Sequence, residues 1–403
     1  MEEEYAHPPP HTTPAAIQSF ASPSPIKRKE NQEVNVQPRP NKLRRDGPST
    51  RPPTLSPTLD KGFHRKLPSH LPPIGLINLG NTCYLNAILQ SCLAMKPFCS
   101  VVERVALQAG PQKNELGDGL VAGMHDCVIG KKRRAGNPFA PAMSPKSVLM
   151  ALKRRFPSFF IDNLQQDAHE VFCKMIECIE SELSKQSSQE FSRMFNFNLN
   201  HMFRCCSCGE TSNREEMANH ISLALPSVDQ AQFPNAKILE LERLFDGFLE
   251  TEEIKKDCEK CMKRGTTHTL KHAFKSFPSI LVLHVKRFTT CTWKSQQRSL
   301  RRLTDKRAED TELWTKARNK VMVPQTLTVG HSQHGVDLST TPAKYRLIAT
   351  VNHHGDTAEH GHYTADVVYG GRWYRCNDGR VSANSSLDLE AAYMAFYEST
   401  NGS

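Results

Sequence analysis

The apolar positions of the chain show three textures in turn. Residues 1–73 show almost no apolar periodicity. From Ile74 onward Leu85, Ile88, Leu89, Cys92 and Leu93 recur at helical spacing, which predicts one helix with a buried face. Ala168, Val171, Phe172, Met175, Ile176 and Ile179 predict a second. Downstream the pattern turns to short apolar runs. Ile280-Leu281-Val282-Leu283-His284-Val285, following Pro278, reads as a buried strand. Tyr345 to Val351, His362 to Tyr369, Arg372 to Arg375 and Tyr393 to Tyr397 predict further strands, separated by Gly355, Gly370-Gly371 and Gly379. Helices first and strands later is the α+β pattern. The stretches 107–147 and 289–320 are polar and irregular and read as insertions, and there is no internal repeat.

Composition sharpens the first of these textures. Only 38% of the 403 residues are apolar, against roughly 45–50% in ordinary globular domains. Residues 1–73 hold 15 of the 26 prolines, so they read as a disordered tail that cannot bury enough surface to offset its chain entropy. That tail carries 11 basic and 7 acidic residues, hence +4 of the net +10. Lys27-Arg28-Lys29 and Lys42-Leu43-Arg44-Arg45 are spaced like a two-part nuclear import signal, or serve as solvating charge. Ser22-Pro23, Ser24-Pro25 and Ser56-Pro57 offer proline-directed phosphorylation sites beside them. The chain has no apolar run long enough to span a bilayer and opens on acidic residues, so the expectation is a soluble protein of nucleus and/or cytoplasm with no membrane partner. An odd count of 13 cysteines then points to reduced thiols, metal ligands or catalysis.

The chemistry is densest at Gly75-Leu76-Ile77-Asn78-Leu79-Gly80-Asn81-Thr82-Cys83-Tyr84-Leu85-Asn86. A glycine- and asparagine-rich turn runs into the first helix and places Cys83 in its first turn. Backbone N–H groups and the helix dipole there favour a thiolate and any oxyanion formed when it attacks a carbonyl. Asn78 is placed to aim an amide at that oxyanion. Taken alone, a cysteine at such a place is more often a packing residue. A base stands far downstream in His360-Gly361-His362-Tyr363, followed by Trp373-Tyr374-Arg375-Cys376-Asn377-Asp378-Gly379. His362 is placed to take the thiol proton, with Asn377 or Asp378 holding its tautomer, the Cys-His-Asn/Asp logic of papain-like hydrolases. His353, His354 and His360 read as structural.

Cys205-Cys206-Ser207-Cys208 and Cys258-Glu259-Lys260-Cys261 are two knuckle-like pairs. Their four outer thiolates, Cys205, Cys208, Cys258 and Cys261, suit a closed tetrahedral Zn²⁺, with redox chemistry as the rival use.

The Gly75–Gln90 segment resembles the cysteine box of the ubiquitin-specific proteases, and Tyr345–Asp378 resembles their histidine box. Gln165-Gln166-Asp167-Ala168-His169-Glu170, Leu283-His284-Val285-Lys286-Arg287-Phe288 and Ala392-Tyr393-Met394-Ala395-Phe396-Tyr397-Glu398 match further blocks of that family in the same order. The resemblance implies a papain-like fold over 74–403, with a helical thumb at about 74–190, zinc-bearing β fingers at about 195–275 and a β palm at about 276–403. It implies hydrolysis of the bond after the C-terminal glycine of ubiquitin, with ubiquitin and ubiquitinated proteins as partners. Cys83 would be the nucleophile, His362 the base, Asn377 its orienting residue with Asp378 sharing that role, and Asn78 the oxyanion donor. Gln90 and Asp167 would contact substrate, Asp167 also capping its helix. Two other readings stay open at this stage, a protease for another ubiquitin-like modifier and a silent ubiquitin-binding scaffold. Lys131-Lys132-Arg133-Arg134 and Arg301-Arg302 lack the interleaved aromatics that base stacking needs, so a nucleic-acid role is not expected.

Overall fold

Both helical stripes and all the strand runs form. The structure is a computed structural model and describes residues 73–108, 119–134, 137, 140–226, 238–292, 312–329, 342–355, 357, 360–384, 386–388 and 390–400, all within one unit, Arg65–Ser403. The tail, its basic clusters and its Ser-Pro pairs lie outside the described residues. Six helices come first: α1 (Cys83–Ala94), α2 (Lys96–Gln108), α3 (Leu120–Arg134), α4 (Lys146–Arg155), α5 (Ala168–Glu182) and α6 (Lys185–Phe195). Strands β1 (Phe197–Cys205), β2 (Thr211–Ala218), β3 (Ile221–Ala224) and β4 (Leu239–Glu240) lead to α7 (Leu241–Leu249). There follow β5 (Glu252–Cys258), β6 (Lys263–Phe274), β7 (Ile280–Lys286), β8 (Phe288–Thr292), β9 (Glu312–Lys316), β10 (Val321–Met322) and β11 (Thr326–Val329). The last are β12 (Ala343–His354), β13 (His362–Tyr369), β14 (Arg372–Asn377), β15 (Arg380–Asn384) and β16 (Ala392–Ser399).

The largest sheet runs β15-β14-β13-β12-β16-β7-β3, with β11 added beside β12. It is covered on both faces, which explains the unbroken apolar run of β7. Ile280 and Val282 join Met394 and Phe396 in the core shared with α1 and α5. Leu281, Leu283 and Val285 point the other way, into a second core with Phe197, Phe245 and Phe274. A smaller sheet, β2-β1-β6-β5, projects the two cysteine pairs at its end. The chain enters the large sheet early, because β3 pairs in parallel with β7, Ile221 opposite Leu283.

Helix α1 is enclosed almost completely: every residue from Cys83 to Leu93 is buried. Its apolar character follows from that enclosure, and no single described helix is long and apolar enough to cross a membrane.

The reading of 107–147 as an irregular insertion is corrected by α3. Leu120, Val121, Met124, Cys127 and Val128 are buried on one side of it. Its start carries no local signal because the cap comes from another helix. Glu182 at the end of α5 accepts from Leu120 N and Val121 N, both at 2.8 Å. Gly123 lets α3 approach α4 backbone to backbone, since a Cβ there would stand 2.9 Å from Val148 N. The four basic residues that close α3 hid the pattern further. In the second stretch β8 pairs with β9, so it is a hairpin whose connection lies outside the described residues.

Candidate active site

The turn before α1 is held by one side chain. Asn78 Oδ1 accepts from Gly80 N (3.1 Å), Thr82 N (3.0 Å) and the Thr82 hydroxyl (3.2 Å), while Thr82 Oγ1 accepts from Leu79 N (2.8 Å). Gly80 (φ 100°) and Asn81 (φ 52°) both take left-handed backbone, which is why the turn is Gly-Asn. Those donors fix the oxygen end of Asn78, so its NH₂ end faces outward, and it donates to Asp378 Oδ2 at 2.9 Å. The incoming segment is pinned as well: Leu76 N donates to Asp378 O (2.9 Å), and Met143 N donates to Gly75 O (2.8 Å). Only glycine fits at 75, because a Cβ would lie 2.2 Å from Gly379 O.

Cys83 is the first residue of α1 and is 3% exposed. His362 opens β13, and its Nε2 meets Asn377 Oδ1 at 2.7 Å, from the last residue of β14. A hydrogen bond with Cys83 raises the half-buried imidazole most, burial opposes it, and Asn377 adds to the rise, leaving His362 at about 9. At neutral pH the imidazole therefore holds its proton and faces the sulfur as a cation. The same shift contributes folding stability that is complete below the ordinary value of 6.5 and is lost as pH rises through about 9. Replacing Asn377 with alanine removes one support of the imidazolium. The alkaline limb of kcat/KM then moves to lower pH; a limb that stays near the wild-type position would exclude Asn377 from orienting His362.

Asp378 does not share that orienting bond. It takes left-handed backbone (φ 47°) and turns its carboxylate to Asn78 and to Asn86, whose Nδ2 donates at 2.8 Å. Its influence on His362 is through charge alone. Asn86, three residues after Cys83 and 2% exposed, is a participant that the apolar stripe concealed: it ties α1 to the carbonyls of Leu76 and Ile77 as well. A buried asparagine inside an otherwise apolar helix was the available signal.

Gln90 does not fit the substrate contact expected of it. It is 2% exposed and donates to Ile74 O at 2.6 Å, so it anchors the segment that leads to the turn. Asp167 caps α5, accepting from Glu170 N at 3.0 Å, and also accepts from the Tyr393 hydroxyl. Burial raises its carboxyl above the usual range against those bonds. Of the three histidines read as structural, His353 is wholly buried against Tyr363 and Phe288, and a Cβ on Gly361 would strike its ring.

The two cysteine pairs meet because β1 pairs with β6, which brings the turn after β1 beside the turn between β5 and β6. The sulfurs of Cys205, Cys208, Cys258 and Cys261 all lie within 4.8 Å of one another, and Cys208 Sγ is 3.6 Å from Cys258 Sγ. A tetrahedral ion with metal–sulfur bonds of about 2.3 Å spaces its ligands about 3.8 Å apart, so the four thiolates fit a metal ion. Backbone N–H groups of Cys208 and Ser207 favour the Cys205 thiolate against its desolvation. Cys206 is exposed and apart, and Cys205, Cys208, Cys258 and Cys261 are free of disulfide.

The family model for ubiquitin carboxyl-terminal hydrolase matches residues 74–397. Ubiquitin carboxyl-terminal hydrolase 12 of Salmo salar is 26% identical over 369 residues, which cover 81% of this chain and 89% of that protein. Ubiquitin carboxyl-terminal hydrolase 3 of Homo sapiens is 26% identical over 374 residues, covering 80% and 67%. A solved SAGA DUB module, Ubp8/Sgf11/Sus1/Sgf73 bound to monoubiquitin, superposes with a TM-score of 0.62 at 20% identity, covering 82% of this chain and 70% of that one. At that identity the likeness is one of fold.

Proposed function

The chain belongs to the ubiquitin carboxyl-terminal hydrolase family and is a deubiquitinating cysteine protease, and from that premise we propose how its residues divide the work. The Cys83 thiolate attacks the carbonyl carbon of ubiquitin's C-terminal glycine. The carbonyl oxygen becomes an oxyanion, met by the second N–H of Asn78 and by backbone N–H groups at the start of α1. Collapse breaks the C–N bond, and the His362 imidazolium gives its proton to the departing amine. His362, now neutral, takes a proton from water as the hydroxyl attacks the thioester, and the Cys83 thiolate leaves.

Asn377 keeps the imidazole aimed at Cys83 throughout. Asp378 keeps Asn78 aimed at the oxyanion, so the pair of adjacent residues serves two different partners. The Asp167 carboxylate, already bound to Tyr393, is assigned to the basic, extended tail of ubiquitin. The four thiolates of Cys205, Cys208, Cys258 and Cys261 are assigned a structural Zn²⁺, which when bound closes the end of the small sheet and takes no part in the reaction. Ubiquitin and ubiquitinated proteins are the partners, and the basic clusters of the tail support a location in the nucleus and/or cytoplasm.

The observation that carries this reading is the line Cys83–His362–Asn377, assembled from two distant segments of the chain, with His362 hydrogen-bonded to both partners. A ubiquitin probe carrying a C-terminal electrophile tests it. Wild type forms a covalent adduct and Cys83→Ala forms none; equal labelling of the two would sink the assignment.

A further inference from the structure

Three further metal-binding side chains meet outside both sites. His169 and Cys173 lie one turn apart on α5, and His220 stands just before β3. Their donor atoms all lie within 4.8 Å of one another. Cys173 Sγ is 3.6 Å from His169 Nε2 and 3.9 Å from His220 Nδ1. Bonds of about 2.3 Å to sulfur and about 2.0–2.1 Å to nitrogen at tetrahedral angles set a sulfur–nitrogen separation of about 3.5 Å. Both sulfur–nitrogen pairs thus lie within a few tenths of an ångström of ligand spacing. We propose that His169, Cys173 and His220 form a second metal site, for Zn²⁺ or a cation of similar softness, with its fourth position open to solvent or to an external ligand.

The donor set and the surroundings argue for this use. Two imidazoles and one thiolate select a borderline-soft ion over Mg²⁺ or Ca²⁺, which need oxygen ligands. The rings are held in place beforehand. His169 lies flat on His284, with centroids 4.0 Å apart and an 8° tilt, and meets His220 edge-on at 4.3 Å. His284 is in turn fixed by Ser222 Oγ at 2.9 Å from its Nδ1, across the parallel β3–β7 pair. The three ligands keep partial exposure, so an ion has a way in. The Nε2 of His284 is buried with no hydrogen-bond partner, so the cluster holds more polar nitrogen than the protein satisfies.

Binding has a defined proton balance. His220 Nδ1 now lies 2.7 Å from Asn219 Oδ1 and shares a proton with it. On metal binding that proton moves to Nε2, and the Cys173 thiol proton is released to solvent. The ion would join α5 to the chain that passes from the small sheet to the large one. Asp167 caps the start of α5, and Tyr393, which bonds Asp167, also meets His284 edge-on at 4.8 Å. Metal occupancy therefore stiffens the ground on which Asp167 stands. None of this depends on the roles given to Cys83 and His362.

Cobalt substitution tests the site directly. The full chain carrying Cys83→Ala, which removes the reactive thiol, is stripped of metal and titrated anaerobically with Co²⁺. The expected result is one ion per chain that persists in Cys258→Ser and disappears in Cys173→Ser, together with its thiolate-to-cobalt absorption. His220→Asn, in a connection and not in a helix, keeps the thiol and is expected to weaken that ion by at least the ~10–100-fold seen when even an outer partner is lost. Circular dichroism in each variant reports folding, and if Cys173→Ser does not fold, His220→Asn decides. Co²⁺ uptake with no component sensitive to Cys173 or His220 overturns the proposal.

Discussion

His362→Ala lowers kcat for hydrolysis of a fluorogenic ubiquitin C-terminal amide by about 10⁴-fold or more, the scale of losing one member of a nucleophile–base unit. Two functions go at once. The imidazole hydrogen-bonded to Cys83 disappears, so the thiol loses its proton acceptor, and the departing amine loses its proton donor. Neither histidine at the end of β12 substitutes. His353 is buried against aromatic rings, and burial pushes it down to about 3, while the ring of His354 is bonded to Thr364 at 2.9 Å. KM should change far less than kcat, because the imidazole acts on the reacting atoms and binds little of ubiquitin. The adduct with the electrophilic probe should form slowly but still form, since Cys83 remains. A fall in kcat of less than about a hundredfold would place the base elsewhere.

Cys258→Ser should release the metal of the four-cysteine site and unfold the end of the small sheet. The outer strands there bury almost nothing: β2 is exposed along most of its length, and β5 buries only Cys258. Phe203 and Leu270, opposite one another in the β1–β6 pair, are buried only to the margin. A structural zinc supplies about 10–16 kcal/mol of apparent binding energy in small zinc domains, far above what those two side chains contribute. Backbone exchange in the outer halves of β1, β2, β5 and β6 should therefore rise to near the unprotected rate. Protection in β12, β13 and β16, which sit in the other cores, should hold. Elemental analysis of wild type should find metal that depends on Cys258. A metal-free wild type with fully protected β5 and β6 would remove the site.

Much of this could be read from residues. The helices around Leu85 and Phe172 and the strands at Ile280, Tyr345, His362 and Tyr393 announced themselves because their buried faces repeat at the period of the element. The Cys-x-x-Cys pairs were legible for the same local reason, as each knuckle is made by four consecutive residues. Helix α3 was not, because its cap, Glu182, stands 62 residues away and its close packing on α4 uses a glycine. Gln90 and Asp378 do other work than expected for a related reason: sequence puts them at the ends of the two catalytic boxes, while contacts with Ile74, Asn78 and Asn86 decide what they do.

By itself the sequence determined the chemistry on offer: a cysteine at a helix start, a histidine at a strand start, an amide after it, and two thiol pairs. Those are properties of residue type and short spacing, which a linear chain carries intact. Only the tertiary structure decided which of two adjacent residues holds His362 and which holds Asn78, and that His220 comes to rest against His169 and Cys173. Such choices depend on distances of a few ångströms between segments 15 to 300 residues apart. They are settled by strand pairing and turn geometry, since a turn that rotates Asp378 through left-handed backbone sends its carboxylate away from the imidazole that Asn377 keeps.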